Sequence, residues 1–170
     1  MVLTIPRPSL VLLIGVSGSG KSTFARRHFR ATEIVSSDHC RALVSDDESD
    51  QAATQDAFEL LHMIIEKRLK RERLTVVDAT SVQEWARASL LAIAHRFGIA
   101  ALAIVFDLPQ EVYVRQNRAR VGRMVEDAVL AKQVAHLRES LTGLASEGFK
   151  QIYLLQSVED VQSAKIVIEN

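Results

Sequence analysis

The apolar residues of this chain occur in two kinds of segment, short unbroken runs and longer stretches with helical spacing. Ser9 to Ile14 and Ile99 to Phe106 are almost wholly apolar without alternation, as expected for parallel strands covered on both faces. Thr54 to Lys70 instead repeats apolar residues every three or four positions, from Phe58 to Leu69. The pattern therefore predicts buried strands that alternate with amphipathic helices.

Five apolar runs have the length of a buried strand. They are Ser9–Ile14, Glu33–Val35, Leu74–Val77, Ile99–Phe106 and Gln151–Leu155. Because helical segments separate them, we expect a five-stranded, parallel, doubly wound sheet whose right-handed crossovers place helices on both faces. Val2 to Ile5 could add a short strand, which Pro6 and Pro8 limit to an edge or a lead-in. The predicted class is α/β, with residues 1–170 forming a single domain.

Caps, chain breakers and periodicity indicate the helices between these strands. One begins after the glycine-rich segment and ends near Phe29, and the others span His39–Val44, Thr54–Lys70, Ser81–Gly98, Pro109 to about Arg120, about Val125–Leu144 and Val158–Lys165. Ser81 and Glu84 form a capping-box pattern, and the helix that they open carries Trp85 among its apolar residues.

The segment from Gly15 to Ser22 joins the first buried run to the first helix and fits the pattern G-x-x-x-x-G-K-[ST] at every fixed position. Its glycines allow backbone N–H groups to surround an anion, and the helix start adds unpaired donors. In this pattern Lys21 reaches the β- and γ-phosphates, and the Ser22 hydroxyl ligates Mg²⁺. The motif predicts a site for a nucleoside triphosphate with Mg²⁺, and the alternative is a plain turn between strand and helix.

Amino-acid composition limits further the class of protein to which the chain can belong. Apolar residues make up 48% and charged residues 25%, as in globular proteins, and the formal net charge of +0 gives no long-range attraction to nucleic acid. The apolar runs are too short to span a membrane, so we expect a cytoplasmic protein with no membrane partner. Cys40 is the only cysteine, which excludes an internal disulfide. Aromatic residues are few, so a stacking platform for long single strands is not supported.

Asp38 follows the second predicted strand, and Arg41 lies three residues further on the next helix. Residues at this spacing share a helix face. Asp38 could therefore orient an attacking hydroxyl and accept its proton, while Arg41 holds a phosphate of the acceptor. The alternative is an N-cap with an exposed ion-pair partner.

Asp78 ends another apolar strand, where P-loop proteins keep the carboxylate that helps to hold Mg²⁺ or its waters. We expect it to act through the water shell of the ion, although it could equally cap the turn before Thr80.

Four arginines crowd one short stretch, at Arg115, Arg118, Arg120 and Arg123. Like charges on one helix face repel each other, and an anion between them would remove that cost. This composition is expected of a helical lid that closes over a triphosphate. A solvated helix surface is the alternative, and it suits Arg115 and Arg118 better than the pair that flanks Gly122.

Together these residues resemble the 5′-OH polynucleotide kinase module of the bacterial end-healing and end-sealing RNA repair enzymes called Pnkp. The resemblance runs through Leu3–Pro6, Gly15–Ala25, Ser36–Asp38, Cys40–Arg41, Ser45–Glu48, Thr75–Thr80 and the lid around Asn117, Arg120 and Arg123. It implies a P-loop phosphotransferase that transfers the γ-phosphoryl group of ATP to the 5′-OH end of RNA or DNA.

The resemblance also implies residue roles. Asp38 would activate the ribose 5′-OH, Arg41 would contact the acceptor phosphate, and Lys21 and Arg123 complete the implied catalytic set. The implied donor site comprises Gly15, Ser17, Gly18, Ser19, Gly20, Lys21, Ser22, Thr23, Arg120 and Arg123. Mg²⁺ would be held by Ser22 and, through its waters, by Asp78.

In one position the chain departs from the family pattern, which has an arginine immediately before the asparagine that matches Asn117. This chain has Gln116 there and Arg115 one step earlier. One residue turns a side chain by about 100° on a helix, so Arg115 does not take over that contact.

Enzymes of this family are longer, with phosphatase and ligase modules after the kinase. We therefore expect an N-terminal kinase module of a larger repair enzyme, and a homodimer is left open. Two other functions stay open from the residues alone, a kinase of nucleosides, sugars or metabolites and a nucleotide-dependent switch without catalysis.

Overall fold

The computed structural model describes residues 1–122 and 124–169. The strands are β1 (Val2–Pro6), β2 (Ser9–Ile14), β3 (Ile34–Ser36), β4 (Thr75–Asp78), β5 (Ala100–Phe106), β6 (Gln151–Leu155) and β7 (Lys165–Glu169). The helices are α1 (Lys21–His28), α2 (Ser37–Ser45), α3 (Thr54–Lys70), α4 (Glu84–Arg96), α5 (Gln110–Arg118), α6 (Asp127–Gly143) and α7 (Val158–Ser163).

The predicted five-stranded parallel sheet is confirmed, in the order β3-β4-β2-β5-β6. Strand β2 lies at its centre and is buried over its whole length. Helices cover both faces, since one apolar core packs α3, α4, α5 and α6 against the sheet and a second core packs α1 against the opposite face. The fold is therefore the doubly wound α/β arrangement expected from the sequence.

All five strands point the same way, so their last residues meet at one margin of the sheet, which we call the carboxyl edge. Ligands of open α/β sheets bind at this edge. Helices α3, α4 and α6 each lead into the next parallel strand, so each begins at the carboxyl edge and runs back towards the opposite edge. The first turns of these three helices consequently lie beside any ligand held there, on one face of the sheet.

The two chain ends differ from the prediction. β1 does not border the main sheet but pairs in parallel with β7. The predicted last helix, Val158–Lys165, ends at Ser163, and the unpredicted strand β7 follows it. In β7, Lys-Ile-Val-Ile-Glu alternates exposed and half-buried residues, the pattern of a strand with one covered face. Leu3 and Ile5 of β1 point into the core beside α1 and are fully buried.

The predicted capping box at the start of α4 is wrong. The helix begins at Glu84 after Gln83, with no side-chain cap, and Ser81 lies before it with a left-handed φ of 49°. Its carbonyl accepts a hydrogen bond of 2.9 Å from Arg87, whose guanidinium is fully buried and also pairs with Glu147. Because Arg87 holds the turn before the helix, the first helical residue is displaced towards Glu84.

Among the described residues, no helix is long and apolar enough to cross a membrane.

Candidate active site

The loop from Gly15 to Ser22 lies at the carboxyl edge, between the buried end of β2 and the first turn of α1. Gly15 donates a backbone hydrogen bond of 3.0 Å to the Thr80 carbonyl, which ties the loop to the segment after β4. Gly20 has a φ of 91°, which favours glycine, and precedes the helix that begins at Lys21. The backbone thus has the strand, turn and helix start that the phosphate motif requires.

Lys21 is folded back into this loop and only 7% exposed. Its ammonium donates to the carbonyls of Gly15 and Val16, at 2.8 and 2.7 Å, and to the Ser19 hydroxyl at 3.2 Å. Burial lowers the pKa of Lys21 from 10.5 to about 8, which the nearby Asp78 partly offsets. A bound triphosphate would place negative charge beside this ammonium and stabilise its protonated form.

Helix α5 packs directly against the loop at Gly18, whose φ is 80°. A Cβ atom there would lie 3.1 Å from the backbone nitrogen of Asn117 and 3.1 Å from the carbonyl oxygen of Tyr113. The absence of a side chain at Gly18 therefore allows the helix that leads into the lid to touch the phosphate loop.

Asn117 shapes the lid itself. Its buried side-chain amide donates to the Val125 carbonyl at 2.8 Å and accepts from the Val125 N–H at 3.0 Å. This pair of hydrogen bonds closes the segment between α5 and α6 into a loop whose base rests on Gly18. The base of this loop is consequently anchored beside the phosphate loop.

Gln133 of α6 also reaches the phosphate loop, where its side-chain oxygen accepts a hydrogen bond of 2.8 Å from the Ser17 N–H. In a phosphate-binding loop this N–H would donate to a phosphate oxygen. The Gln133 amide oxygen therefore lies where a phosphate oxygen would be bound. No sequence signal indicated this residue, because 116 positions separate it from Ser17.

The two predicted aspartates lie close together at the carboxyl edge. Asp78 is the last residue of β4 and is opposite Ser36 of β3 and Leu13 of β2 in register. Asp38 follows two residues after Ser36, in the first turn of α2. The charges of both carboxylates raise the pKa of Lys21, so both lie within electrostatic range of its ammonium.

Asp38 forms an ion pair with Arg41, with 2.8 Å between Oδ1 and a guanidinium nitrogen. Arg41 also donates from Nε to the Thr54 hydroxyl at 3.4 Å, which links α2 to the first residue of α3. Ser36, not Asp38, is the N-cap of α2, since its hydroxyl accepts from the His39 N–H. The carboxylate of Asp38 is therefore not committed to capping this helix.

The arginines of the predicted lid lie in different parts of the structure. α5 ends at Arg118, so Arg120 belongs to the loop beyond it, and its charge lowers the pKa of Lys21. Arg115 and Arg118 line a surface cavity of about 610 Å³ along α5, with Gln110, Glu111 and Val114. Arg123 lies outside the described residues. Of the described arginines in this group, Arg120 is thus the one whose charge reaches Lys21.

The donor set suits Mg²⁺ bound together with phosphates. No group of three or more His, Cys, Asp or Glu side chains among the described residues could hold a metal ion alone. Mg²⁺ characteristically uses one or two protein oxygens with several waters and phosphate oxygens. Ser22, in the first turn of α1, and Asp78, at the end of β4, are available for these roles.

A phosphate loop at the centre of a parallel five-stranded sheet, with helices on both faces, defines the P-loop kinase fold. The chain belongs to the AAA domain family, whose sequence profile matches residues 10–143. No curated protein sequence matches it significantly.

Solved structures agree on this fold. The Pnkp1/Rnl/Hen1 RNA repair complex contains a chain with a TM-score of 0.70 and 24% identity, over 80% of this chain and 46% of that one. The APS kinase CysC of Mycobacterium tuberculosis, solved with AMPPNP and APS, has a TM-score of 0.56 and 19% identity, over 92% and 95% of the two chains. A chain of the PezAT toxin-antitoxin system of Streptococcus pneumoniae has a TM-score of 0.66 and 16% identity, over 88% of this chain and 67% of that one. This chain spans less than half the length of the RNA repair chain that it matches.

Proposed function

We propose that this domain is an ATP-dependent polynucleotide 5′-hydroxyl kinase. The observation that carries the proposal is the Asp38–Arg41 pair, which stands at the carboxyl edge within electrostatic range of Lys21. A carboxylate and a planar guanidinium side by side suit an acceptor that presents a hydroxyl next to a phosphate. The 5′ end of a polynucleotide has that chemistry, because its terminal hydroxyl is followed by a phosphodiester.

The donor half of the reaction rests on the phosphate loop. Backbone N–H groups of Ser17 to Thr23 would surround the β- and γ-phosphates, and Lys21 would turn from its loop carbonyls to the phosphate oxygens. Arg120 and Arg123 would add positive charge from the lid. Mg²⁺, held by Ser22 and through water by Asp78, supplies charge neutralisation of the β- and γ-oxygens when bound.

The acceptor half rests on Asp38. The 5′ oxygen forms a bond to the γ-phosphorus as the bond from that phosphorus to the bridging oxygen of ADP breaks, and the hydroxyl proton passes to Asp38. A ribose hydroxyl is too weak an acid to be ionised beforehand by a carboxylate, so Asp38 accepts the proton late and contributes mainly by orienting the hydroxyl. Arg41 would hold the adjacent phosphodiester.

The likeness to a chain of the Pnkp1/Rnl/Hen1 RNA repair complex supports this acceptor class. The same likeness supports a place for the domain in a larger repair assembly. The phosphatase and ligase modules of that assembly are what the sequence resemblance implies. A small-molecule kinase is the second candidate, because the APS kinase fold matches almost the whole of both chains.

A transfer assay distinguishes the two candidates. The protein is incubated with γ-labelled ATP and Mg²⁺ and with one of three acceptors: a 5′-OH oligonucleotide, the same oligonucleotide already carrying a 5′ phosphate, or a mixture of nucleosides. We expect label on the first acceptor alone. Label on the nucleosides but not on the oligonucleotide would favour the small-molecule kinase.

A further inference from the structure

Trp85 lies in the first turn of α4 and is 71% exposed, although tryptophan is among the most costly side chains to leave in water. The turn that carries it is firmly held. Two residues further along, the fully buried Arg87 bonds to the Ser81 carbonyl and to Glu147. The indole is therefore a large apolar surface on a rigid support at the carboxyl edge.

Contacts between α3 and α4 define the direction in which Trp85 projects. Ser89 of α4 contacts His62 of α3 at 3.3 Å, and Arg96 of α4 pairs with Glu66 of α3 at 2.9 Å. Residues four apart share a helix face, and Trp85 precedes Ser89 by four. Trp85 thus belongs to the face of α4 that is turned towards α3.

The corresponding face of α3 leads to the proposed acceptor site. Counting back from His62 in steps of four gives Phe58 and then Thr54, and the rings of Phe58 and His62 are in contact. Thr54 in turn accepts the hydrogen bond from Arg41. The surface between the first turns of α3 and α4, which we call the groove, consequently has Arg41 and Thr54 on one side, Phe58 beside them and Trp85 on the other side.

The width of this groove follows from helix geometry. The two helices run in parallel, so their contact at His62 and Ser89 fixes their relative position. At 1.5 Å per residue, Thr54 lies about 12 Å and Trp85 about 6 Å before the contact, an axial offset of roughly 6 Å. With axes about 8–10 Å apart, the backbones of the two residues are separated by roughly 10–12 Å. A strand advances about 3.4 Å per nucleotide, so this distance corresponds to about three nucleotides.

We propose that Trp85 stacks on one of the first three bases of the acceptor strand while Arg41 holds its phosphate. The inference rests on the proposed polynucleotide kinase function. An indole face accepts any base, which would give affinity for a strand without a sequence requirement. The site is a single stacking position next to the reacting end.

The chain has one tryptophan, so its fluorescence reports on this position directly. We expect a 5′-OH pentanucleotide, added with a non-hydrolysable ATP analogue, to quench the emission. An otherwise identical strand with abasic sites at its first three positions should leave the emission unchanged. Equal quenching by both strands, or none by either, would overturn the stacking site.

Kinetics of variants provide the second test. Trp85→Ala should raise the KM for the oligonucleotide about 5- to 150-fold, the range for one lost stacking contact, and leave the KM for ATP unchanged. Trp85→Phe should recover part of the loss, and the abasic strand should react equally with the unmodified protein and with Trp85→Ala. Met63→Ala is the matched control, since Met63 is an equally apolar side chain of α3, 59% exposed, outside the helix face that lines the groove.

The two tests also separate this inference from the proposed function. Quenching without phosphoryl transfer to any strand would support the stacking site and contradict the kinase assignment. Transfer with a KM that is insensitive to Trp85 and to the bases would overturn the stacking site alone.

Discussion

The donor and acceptor halves of the candidate site share one edge of the sheet, yet they are built differently. On the donor side, Lys21 is 7% exposed and makes three hydrogen bonds within its own loop, and α5 packs against Gly18. On the acceptor side, the Asp38 side chain is 39% exposed, and Arg41 reaches across to another helix. A rigid, enclosed donor site suits one ligand shape, whereas an open acceptor site admits a hydroxyl that belongs to a much larger molecule.

This difference also separates nucleotide binding from catalysis. Substitutions in the loop should weaken both, while substitutions in α2 should slow phosphoryl transfer and leave nucleotide binding intact. Single substitutions on the two sides can test whether binding and catalysis are separate in this way.

Lys21→Ala should lower kcat by about 10³- to 10⁵-fold, the scale for a cation that stabilises the transferring phosphoryl group. It should also weaken ATP binding, since the ammonium faces the phosphates before and during the reaction. Steady-state kinetics and calorimetric titration with a non-hydrolysable ATP analogue measure the two effects. Unchanged nucleotide affinity would place Lys21 outside the donor site.

Asp38→Asn should lower kcat by about 10²- to 10⁴-fold, or roughly 3 to 5 kcal/mol in the barrier, because the amide accepts no proton. Nucleotide affinity should stay the same. Asp46→Asn is the matched control, since Asp46 is an exposed carboxylate at the other end of α2 with a φ of 59°, a conformation that asparagine tolerates. Near-normal turnover of Asp38→Asn would refute its role as the base.

Arg120→Ala should lower kcat by about 10²-fold, the usual effect of one lost donor to a developing charge. Arg115→Ala should change it by less than about threefold, because Arg115 lines a surface cavity that, within the described part of the chain, is formed by residues of α5 alone. We expect Arg123→Ala also to exceed Arg115→Ala. Single-turnover assays with saturating ATP give the comparison, and the reverse order would contradict this division of the lid arginines.

The affinity for ATP should fall above pH 8. Below that value Lys21 is protonated with or without nucleotide, since its pKa is about 8 in the free protein. Bound phosphates favour the ammonium and raise its pKa, so binding above pH 8 takes up a proton and Kd rises by about tenfold per pH unit. Titrations between pH 7 and 10 measure the slope. Lys21→Arg should remove it, because a guanidinium stays charged throughout.

The contrast between the two halves also explains what could be predicted from the sequence. The phosphate loop, the five strands and most helix ranges depend on neighbouring residues, so local patterns indicate them correctly. Gln133 could not be predicted, because its contact with Ser17 depends on how α6 lies across the sheet. Asn117 was visible only through the family resemblance, and nothing local indicated its bonds to Val125.

The errors have a similar origin. Ser81 and Glu84 fit a capping box, but the buried Arg87 holds the Ser81 carbonyl and moves the helix start. A contact formed only after packing thus overrides a local preference.

The pairing of β1 with β7 has a consequence for the order of folding. Val2 lies opposite Lys165, so this contact closes a loop of almost the whole described chain, the kind of closure that forms slowly. The core around α3, α4 and α6 needs no residue of either strand, whereas Leu3 and Ile5 belong to the core beside α1. During synthesis β1 has no partner strand until β7 has been made, so the core around α3, α4 and α6 can form before the core beside α1 is complete.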